Sequence, residues 1–359
     1  MTAWLPAGRG GEAPTGTHRA VRFHRWGGLD ELVVDEVPTP APGPGEALVR
    51  IRAAAVNHLD LDMLAGTSRY AILLPHTLGM EGAGTIEAVG PDVTELQVGD
   101  PVVVAADIVC GTCENCRRGY DNVCLDAVRP GWSWPGAYAE LLLAPVRGIY
   151  RLPEGVSFEQ AAVAQASLGT AWHMLITRGG LRPGEWVLVN GAAGGVGTAA
   201  LSVAALAGAR VIAATSSADK HDELRALGAE AVADYSRADF VEQVRTITGG
   251  RGVDLVFEFV GGDLFRRSLD CLRHDGRLVI CGAHGGEVAT VDLIPLFRAE
   301  RRIIGSNSAT ASDIRRVLEL VGRARLSVPI AARFPLEEAA AALALMASRR
   351  HIGRIVLIP

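Results

Sequence analysis

Residues 186–197 read WVLVNGAAGGVG, and this stretch predicts a strand, a tight turn and the start of a helix. Trp186–Val189 is an apolar run with the length and composition of a buried parallel strand. The turn that follows contributes Gly191, Gly194, Gly195, Val196 and Gly197. A run of small residues then continues to Gly208, and glycine is typical of a helix C-terminus.

The order of strand, glycine turn and helix is typical of a dinucleotide-binding unit. Glycines let the backbone approach a pyrophosphate closely, and the helix N-terminus offers it free N–H groups and the positive end of a dipole. The spacing is G-x-x-G-G-x-G and not the strict G-x-G-x-x-G, because Ala193 occupies the middle site. A plain strand-to-helix turn without a ligand therefore stays an alternative at this point.

A second strand, Arg210–Ala214, follows on schedule for a βαβ unit. Such folds contact the adenosine ribose at the end of this strand, where an NAD enzyme usually has Asp or Glu. This chain has Thr215, Ser216 and Ser217 and then Lys220, the only lysine of the sequence. The hydroxyls of Ser216 and Ser217 and the cation of Lys220 suit a 2′-phosphate, so the pattern favours NADPH over NADH. Ser217 also suits the N-cap of the next helix, and the two roles are compatible.

Length and composition restrict the class of protein. With 359 residues, 49% of them hydrophobic, and a mean hydropathy of +0.22, the chain is long enough for two domains. The net charge of −5 and the pI near 6.0 offer no basic patch for nucleic acid. No apolar run predicts a membrane span, and residues 1–18 predict a disordered extension without a signal core. Six cysteines, four of them clustered, do not suggest a secreted disulfide framework, so we expect a cytoplasmic protein.

Four cysteines form a cluster with the spacing C-x2-C-x2-C-x7-C: Cys110, Cys113, Cys116 and Cys124. Thiolates this close favour a four-coordinate Zn²⁺. The lobe 110–124 contains little apolar material, so zinc would supply the energy that folds it. Cysteine fills all four positions and leaves none for water or substrate, so we expect one structural zinc per chain. Four free or disulfide-paired cysteines are the alternative.

The chain as a whole resembles the medium-chain dehydrogenase/reductase superfamily, from about Arg19 to Pro359. Besides the cysteine lobe, the segments that carry this resemblance are Gly79–Gly84, Gly136–Glu140, Gly191–Gly197 and Gly353–Leu357. The resemblance implies an α/β fold, with a GroES-like irregular β-barrel catalytic domain plus a Rossmann-type doubly wound parallel-sheet coenzyme domain. The expected domains are catalytic over 19–166, coenzyme-binding over 167–307, and a return to the catalytic domain over 308–359.

The sequence departs from the zinc alcohol dehydrogenases of this superfamily at the catalytic metal. Their three metal-ligand positions correspond here to Asn57, Met80 and Ala166, while the acid of the second motif remains as Glu81. An amide, a thioether and a methyl group do not provide three strong Zn²⁺ ligands. The stretch around Asn57 instead resembles the zinc-independent quinone oxidoreductases and enoyl reductases.

Without a metal to acidify an alcohol, hydride transfer from NADPH to an activated C=C is the readiest reaction. The substrate is then an enone, an enoyl thioester or a quinone, and the enzyme needs a donor to the developing enolate oxygen and a proton source. Asn57 is the candidate donor, with a turn-stabilising role as the alternative. Tyr70 and His58 are candidate proton donors, although such residues are often only packing or surface groups.

The resemblance also implies further coenzyme contacts. Thr170 is expected to bond the nicotinamide carboxamide, and Tyr235 is expected to lie against the adenosine 2′-phosphate. The residues expected to line the nicotinamide at strand ends are Val260, Gly261, Cys281, Gly282 and Ala283. Three tryptophans are candidates for the border of the substrate pocket or for ordinary core packing: Trp132, Trp134 and Trp172.

The expected partners are a small-molecule substrate and a second copy of the chain, with neither nucleic acid nor membrane. The late strand Arg302–Gly305 lies near the sheet edge that pairs across a two-fold axis in this superfamily. Two other functions stay open: an alcohol or polyol dehydrogenase with an atypical metal site, and a non-catalytic NADPH-binding protein. Metal content and turnover distinguish the three.

Overall fold

A computed structural model describes residues 16–69 and 71–359 of the chain. Its strands are β1 (Thr17–Phe23), β2 (Val33–Pro38), β3 (Glu46–Ala55), β4 (His76–Thr77), β5 (Gly82–Val89), β6 (Pro101–Val104), β7 (Leu141–Pro145), β8 (Ile149–Arg151), β9 (Trp186–Val189), β10 (Arg210–Thr215), β11 (Ala231–Asp234), β12 (Val253–Glu258), β13 (Leu272–Ile280), β14 (Arg302–Gly305), β15 (Ile330–Pro335) and β16 (Arg354–Ile358).

Short 3₁₀ or π segments adjoin several of the α-helices. The α-helices are α1 (His58–Leu64), α2 (Glu114–Arg117), α3 (Phe158–Val163), α4 (Thr170–Trp172), α5 (Gly195–Leu206), α6 (His221–Ala226), α7 (Phe240–Ile247), α8 (Gly262–Asp270), α9 (Leu293–Arg298), α10 (Ala311–Gly322) and α11 (Ala339–Ser348). Segments Ala164–Gly169 and His173–Arg178 are π-helical.

The chain divides into two compact units. Unit 1 contains the described residues up to Gln165 together with Ile330–Pro359, and unit 2 contains Ala166–Pro329. The first boundary lies one residue from the expected one, but the return to unit 1 begins at Ile330 and not at 308. Helix α10 is bonded within unit 2, where the Asp313 carboxylate pairs with the His173 ring at 2.6 Å and accepts the Thr177 hydroxyl at 2.8 Å.

Unit 1 is an irregular β structure built around β3. The strand order of its larger sheet is β15-β16-β3-β5-β6-β8, and β7 also pairs with β3. A smaller sheet has the order β2-β1-β4. The core includes Phe23, Ile51, Leu142 and Leu343. Strand β1 already begins at Thr17, where it pairs with Pro38, so the disordered extension predicted for 1–18 is wrong at its end; residues 1–15 lie outside the described part.

Unit 2 is a parallel sheet with the strand order β11-β10-β9-β12-β13-β14. The chain moves outward from β9 to β11 on one side and then returns to β12 on the other, which makes the sheet doubly wound. All four residues of β9 are buried, as the apolar run predicted. The order reverses between β9 and β12, and ligands of such sheets bind outside the carboxyl ends of the strands at this point. Among the described residues, no helix is long and apolar enough to span a membrane.

Candidate active site

The glycine turn after β9 leads directly into α5. Gly191 has a φ of +62°, and its carbonyl oxygen accepts the Gly194 N–H at 3.0 Å. A Cβ atom at Gly197 would lie 2.7 Å from Cα of Ala192, so only glycine lets α5 approach the turn this closely. Helix α5 begins at Gly195, within the glycine turn itself. Its first N–H groups follow the exposed Gly194, as an anion site at a helix N-terminus requires.

The predicted 2′-phosphate residues cluster at the ends of β10 and β11. Ser216 and Ser217 follow β10 directly, and Lys220 ends a 3₁₀ turn over Ala218–Lys220. Ser217 occupies the N-cap position, but its side chain makes no capping bond. Lys220 is 7% exposed, and burial lowers the pKa of its ammonium group. The backbone of Tyr235 donates to the Thr215 carbonyl at 3.2 Å, which holds this residue beside the end of β10.

The residues predicted to line the nicotinamide lie in two loops that bond to each other. Gly285 donates to the Val260 carbonyl oxygen at 2.7 Å, and Gly262 donates to the Gly286 carbonyl oxygen at 2.9 Å. Gly261 has a φ of +82°, and a Cβ there would lie 2.9 Å from Cα of Ala283. The other members of this predicted set are Cys281 and Gly282, directly after β13. Thr170, the predicted carboxamide partner, is buried as the first residue of α4.

In unit 1, the two glycine-containing motifs that carry the resemblance bond to each other. Gly136 N–H donates to the Thr77 carbonyl oxygen at 3.0 Å, and Tyr138 N–H donates to that of Leu78 at 3.0 Å. A Cβ at Gly136 would lie 2.7 Å from the Gly79 carbonyl oxygen, so the two segments touch through their backbones. This contact places Glu81, directly before β5, and Tyr138 in one buried region.

Asn57 belongs to a buried polar network in this region. Its Oδ1 accepts a hydrogen bond from Nη1 of Arg354 at 2.9 Å. Its Nδ2 donates to Oε2 of Glu81 at 3.1 Å and to the Ala55 carbonyl oxygen at 3.3 Å. Nη2 of Arg354 also contacts Oε2 of Glu81 at 2.5 Å. Asn57 is 9% exposed, Arg354 3% and Glu81 0%, so an ion pair buried in the unit fixes both ends of the amide.

A second buried pair adjoins this network through the backbone of Asn57. Oδ2 of Asp60 accepts the Asn57 N–H at 2.8 Å and the Tyr138 hydroxyl at 2.6 Å. Burial raises the pKa of the Asp60 carboxyl to about 6, although both hydrogen bonds oppose the shift. The pKa of Tyr138 is also raised, first by burial and then by the Asp60 charge. Asp60 thus fixes the start of α1, where its side chain caps the backbone of Asn57.

His58 and Tyr70 are the other predicted catalytic residues. His58 is the first residue of α1 and is partly buried. Tyr70 lies outside the described residues.

Trp134 is 6% exposed and donates to the Leu143 carbonyl oxygen at 2.7 Å, so it packs in the core of unit 1. Trp132 packs against the same core under the Arg129 guanidinium, and Trp172 ends α4 in unit 2.

The four cysteines of the lobe converge on one point. Their sulfur atoms all lie within 4.8 Å of one another, with 3.9 Å between Cys110 and Cys116 and 3.9 Å between Cys113 and Cys124. A tetrahedron with Zn–S bonds of ~2.3 Å has edges of about 3.8 Å, so the lobe has the dimensions of a zinc site. Backbone N–H groups of Thr112 and Cys113 donate to the Cys110 sulfur and lower the pKa of that thiol to about 6. The pKa of the Cys113 thiol is also lowered by backbone N–H groups, whereas burial raises the pKa of the Cys116 and Cys124 thiols.

Comparison with known proteins identifies the family. Residues 43–154 match the alcohol dehydrogenase GroES-like domain, and residues 195–323 match the zinc-binding dehydrogenase domain. A 2-haloacrylate reductase of Burkholderia sp is 32% identical over 95% of this chain and 98% of its own, and a quinone oxidoreductase of Pseudomonas aeruginosa is 33% identical over 95% and 99%. The chain belongs to the medium-chain dehydrogenase/reductase superfamily.

A solved structure supports the same conclusion for the fold of this medium-chain reductase. An NAD-dependent alcohol dehydrogenase superimposes with a TM-score of 0.91 and 38% identity, over 95% of this chain and 99% of that chain. The predicted GroES-like and parallel-sheet architecture is thus confirmed. The protein is an oxidoreductase of the medium-chain reductase type, and its family supports an NAD(P) coenzyme.

Sequence reasoning missed three polar contacts in the medium-chain reductase. The sequence indicates Arg354 only as part of a family motif, although its guanidinium holds Asn57. Asp60 and Tyr138 were not paired, because they are far apart in the chain. Glu258, which ends β12, was not singled out either. Its position at the end of a buried apolar strand could have indicated it, because a buried acid requires nearby hydrogen-bond donors.

Proposed function

We propose that this protein is an NADPH-dependent reductase of activated C=C bonds, such as enones, enoyl thioesters or quinones, and that it works without a catalytic metal. The observation that carries the proposal is the Asn57–Glu81–Arg354 network. Arg354 supplies a permanent cation beside Glu81, and the residues at two metal-ligand positions of unit 1 are an amide and a thioether. The names of the relatives, 2-haloacrylate reductase and quinone oxidoreductase, support the same reaction class.

Asn57 is the proposed holder of the substrate oxygen. Its amide is oriented by Arg354 on the oxygen side and by Glu81 on the nitrogen side. The remaining bond, from Nδ2 to the Ala55 carbonyl, is the longest at 3.3 Å and is the one that a substrate oxygen replaces. The guanidinium polarises the amide, which makes the N–H a stronger donor to an oxygen that gains negative charge.

Bound NADPH supplies the hydride in this proposal, and the protein provides its two binding regions. The glycine turn and the α5 N-terminus would hold the pyrophosphate, and Ser216, Ser217, Lys220 and Tyr235 would bind the 2′-phosphate. Asn57 would hold the carbonyl oxygen that gains negative charge as the β-carbon is reduced, and a proton donor of the protein would then protonate the α-carbon. His58 and Tyr70 remain the proposed proton donors.

A panel of enones, quinones, enoyl thioesters and aldehydes tests the reaction class. We expect NADPH consumption with the first three, and deuteride from C4 of the nicotinamide on the β-carbon of the product. Label on a carbinol carbon, together with activity that depends on added zinc, would establish the alcohol dehydrogenase instead. That second candidate is favoured by the similarity to solved structures named as alcohol dehydrogenases, one of them NAD-dependent. Nucleotide binding without any turnover would support the non-catalytic alternative.

Lys220 provides a test of coenzyme preference. Lys220→Ala is expected to weaken NADPH binding by roughly 1–3 kcal/mol, because it removes a charge-assisted hydrogen bond to the 2′-phosphate. NADH binding should stay nearly unchanged. Equilibrium titration of coenzyme fluorescence measures both, and Arg225→Ala removes an exposed cation of α6 as the control. Equal dissociation constants for NADPH and NADH in the native protein would refute the preference.

We propose that the cysteine lobe binds one structural zinc ion. Cys113→Ser, or removal of the metal with a chelator, should lower the melting temperature more than it changes kcat. The reason is that the lobe exposes two of its larger apolar residues, with Tyr120 at 49% and Val123 at 41%, and so has little core of its own. Metal analysis of the purified protein checks the stoichiometry. Reduced, folded protein without zinc contradicts this assignment, and two zinc ions per chain would favour the alcohol dehydrogenase.

We propose a homodimer formed through β14, which lies at one edge of the parallel sheet. Ile303 on this strand is 39% exposed, and α9 exposes Leu293, Ile294 and Phe297 at 54–65%. Pairing of β14 with its copy would give hydrogen-bond partners to the backbone groups of this edge strand. It would also cover these side chains. Ile303→Glu should give a monomeric mass in light scattering at micromolar concentration, whereas Val98→Glu, at an exposed site of unit 1, should not. A monomeric native protein would end this claim.

The remaining proposals concern substrate and location. The substrate is a small molecule, and we place the enzyme in the cytoplasm, where a reducing environment keeps the lobe cysteines available to zinc.

A further inference from the structure

Three fully buried polar side chains form a ring at the carboxyl ends of β9 and β12. Asn190, Glu258 and Ser268 are each 0% exposed. Nδ2 of Asn190 donates to Oε2 of Glu258 and, at 2.7 Å, to the Ser268 hydroxyl oxygen. The Ser268 hydroxyl in turn donates to the Glu258 carboxylate. Each member therefore contacts the other two.

Glu258 also holds the loop that follows β12. Its Oε1 accepts the backbone N–H groups of Val260 at 2.6 Å and of Gly261 at 2.7 Å. That loop is itself bonded to the loop after β13, through the N–H of Gly262 and the carbonyl oxygen of Gly286. One carboxylate thus fixes the backbone on the side of the sheet where the nicotinamide-lining residues were predicted.

Asn190 connects the same carboxylate to the glycine turn. It ends β9, immediately precedes Gly191, and its backbone N–H donates to the Phe257 carbonyl oxygen at 3.0 Å. Its Oδ1 is buried and has no hydrogen-bond partner in the described part of the chain, so the Nδ2 contacts decide the orientation of the amide. The ring therefore joins the loops on either side of the point where the strand order reverses, which is where such sheets bind their ligands.

Joining two strands through a buried ionisable group costs the free energy of desolvating its carboxylate. All the donors that the structure gives Glu258 are neutral, and burial raises the pKa of its carboxyl. Apolar residues of similar volume would join the strands without that desolvation. The polar ring does what apolar packing cannot, because its directional hydrogen bonds fix the positions of backbone N–H groups in two separate loops.

We propose that Asn190, Glu258 and Ser268 are positioning residues for the coenzyme, which set the spacing between the pyrophosphate turn and the loop that lines the nicotinamide. The inference requires a nicotinamide coenzyme and does not depend on which acceptor is reduced. A protein that binds NADPH normally but reduces no C=C substrate would refute the proposed function and leave this inference intact.

Two substitutions that together keep the total charge of the ring test the proposal. Asn190→Asp places two buried carboxylates side by side, so we expect the Kd for NADPH to rise about tenfold or more, as buried donors and acceptors lose their partners. Adding Glu258→Gln restores a donor and acceptor pair of the same shape and total charge, with the new amide donating in the reverse direction. The double variant should return the Kd to within about threefold of the native value. Fluorescence titration with NADPH measures all three proteins.

A matched control lies at the opposite ends of the same two strands. Oδ2 of Asp254, 1% exposed at the start of β12, accepts the Trp186 N–H of β9 at 2.8 Å. Asp254→Asn should lower the melting temperature and leave the NADPH Kd unchanged. Ser268→Ala is the milder variant should Asn190→Asp not fold, and it should raise the Kd a few-fold. An unchanged Kd in folded Asn190→Asp, or in Ser268→Ala where the former does not fold, overturns the positioning role, as does a double variant that stays as weak as Asn190→Asp.

Discussion

Asn57→Ala is expected to lower kcat by about 10²–10³ with the best C=C acceptor, the usual effect of losing one donor to a developing oxyanion. The affinity for NADPH should not change, because Asn57 belongs to unit 1 and the coenzyme residues described above belong to unit 2. Steady-state kinetics with saturating NADPH, combined with a fluorescence titration of the coenzyme, measures both quantities on the same preparation.

The control for this substitution is Asn122→Ala. Asn122 is another buried asparagine of unit 1, at 6% exposure, but it lies in the cysteine lobe. It should alter stability without a comparable loss of kcat. If Asn57→Ala keeps more than about a third of the native kcat while its melting temperature falls, the residue serves only the Arg354 network, and the oxygen-holding role is wrong.

Arg354→Met should cost about 3–5 kcal/mol of unfolding free energy, because it leaves the Glu81 carboxylate fully buried without its cation. Urea denaturation followed by the shift of the transition midpoint measures the loss. Adding Glu81→Gln removes the stranded charge and keeps an acceptor for Nδ2 of Asn57. We therefore expect the double variant to recover most of the stability, which a purely steric role of Arg354 does not predict.

A surface ion pair of the same unit provides the comparison. Arg50 and Glu87 join β3 to β5 through two hydrogen bonds of 2.8 and 2.6 Å, but their side chains are 37% and 39% exposed. Arg50→Met should cost no more than about 1 kcal/mol, because water replaces the lost contacts. Equal losses from Arg354→Met and Arg50→Met would show that burial does not control the Glu81 network.

The sequence alone determined the features that depend on local order. The apolar run of β9, the glycines that follow it and the small residues of α5 are adjacent in the chain, so their spacing predicts the strand, the close turn and the helix. The cysteine spacing likewise predicts four convergent sulfur atoms, because a short lobe brings nearby residues together whatever surrounds it. Family motifs extended these local signals to the two-part architecture.

Only the tertiary structure decided how the polar groups between these motifs are paired. Arg354 is 297 residues from Asn57, and Glu258 is 68 residues from Asn190, so no local period or spacing relates them. The same applies to α10, which the sequence assigned to the return segment and which the hydrogen bonds of Asp313 to His173 and Thr177 join to unit 2. A buried polar atom must find a partner wherever the fold supplies one, and that choice is made by the packing of whole strands and loops. Hence the sequence identified Asn57 as the residue in the metal-ligand position, but the fold determined that a cation holds its amide.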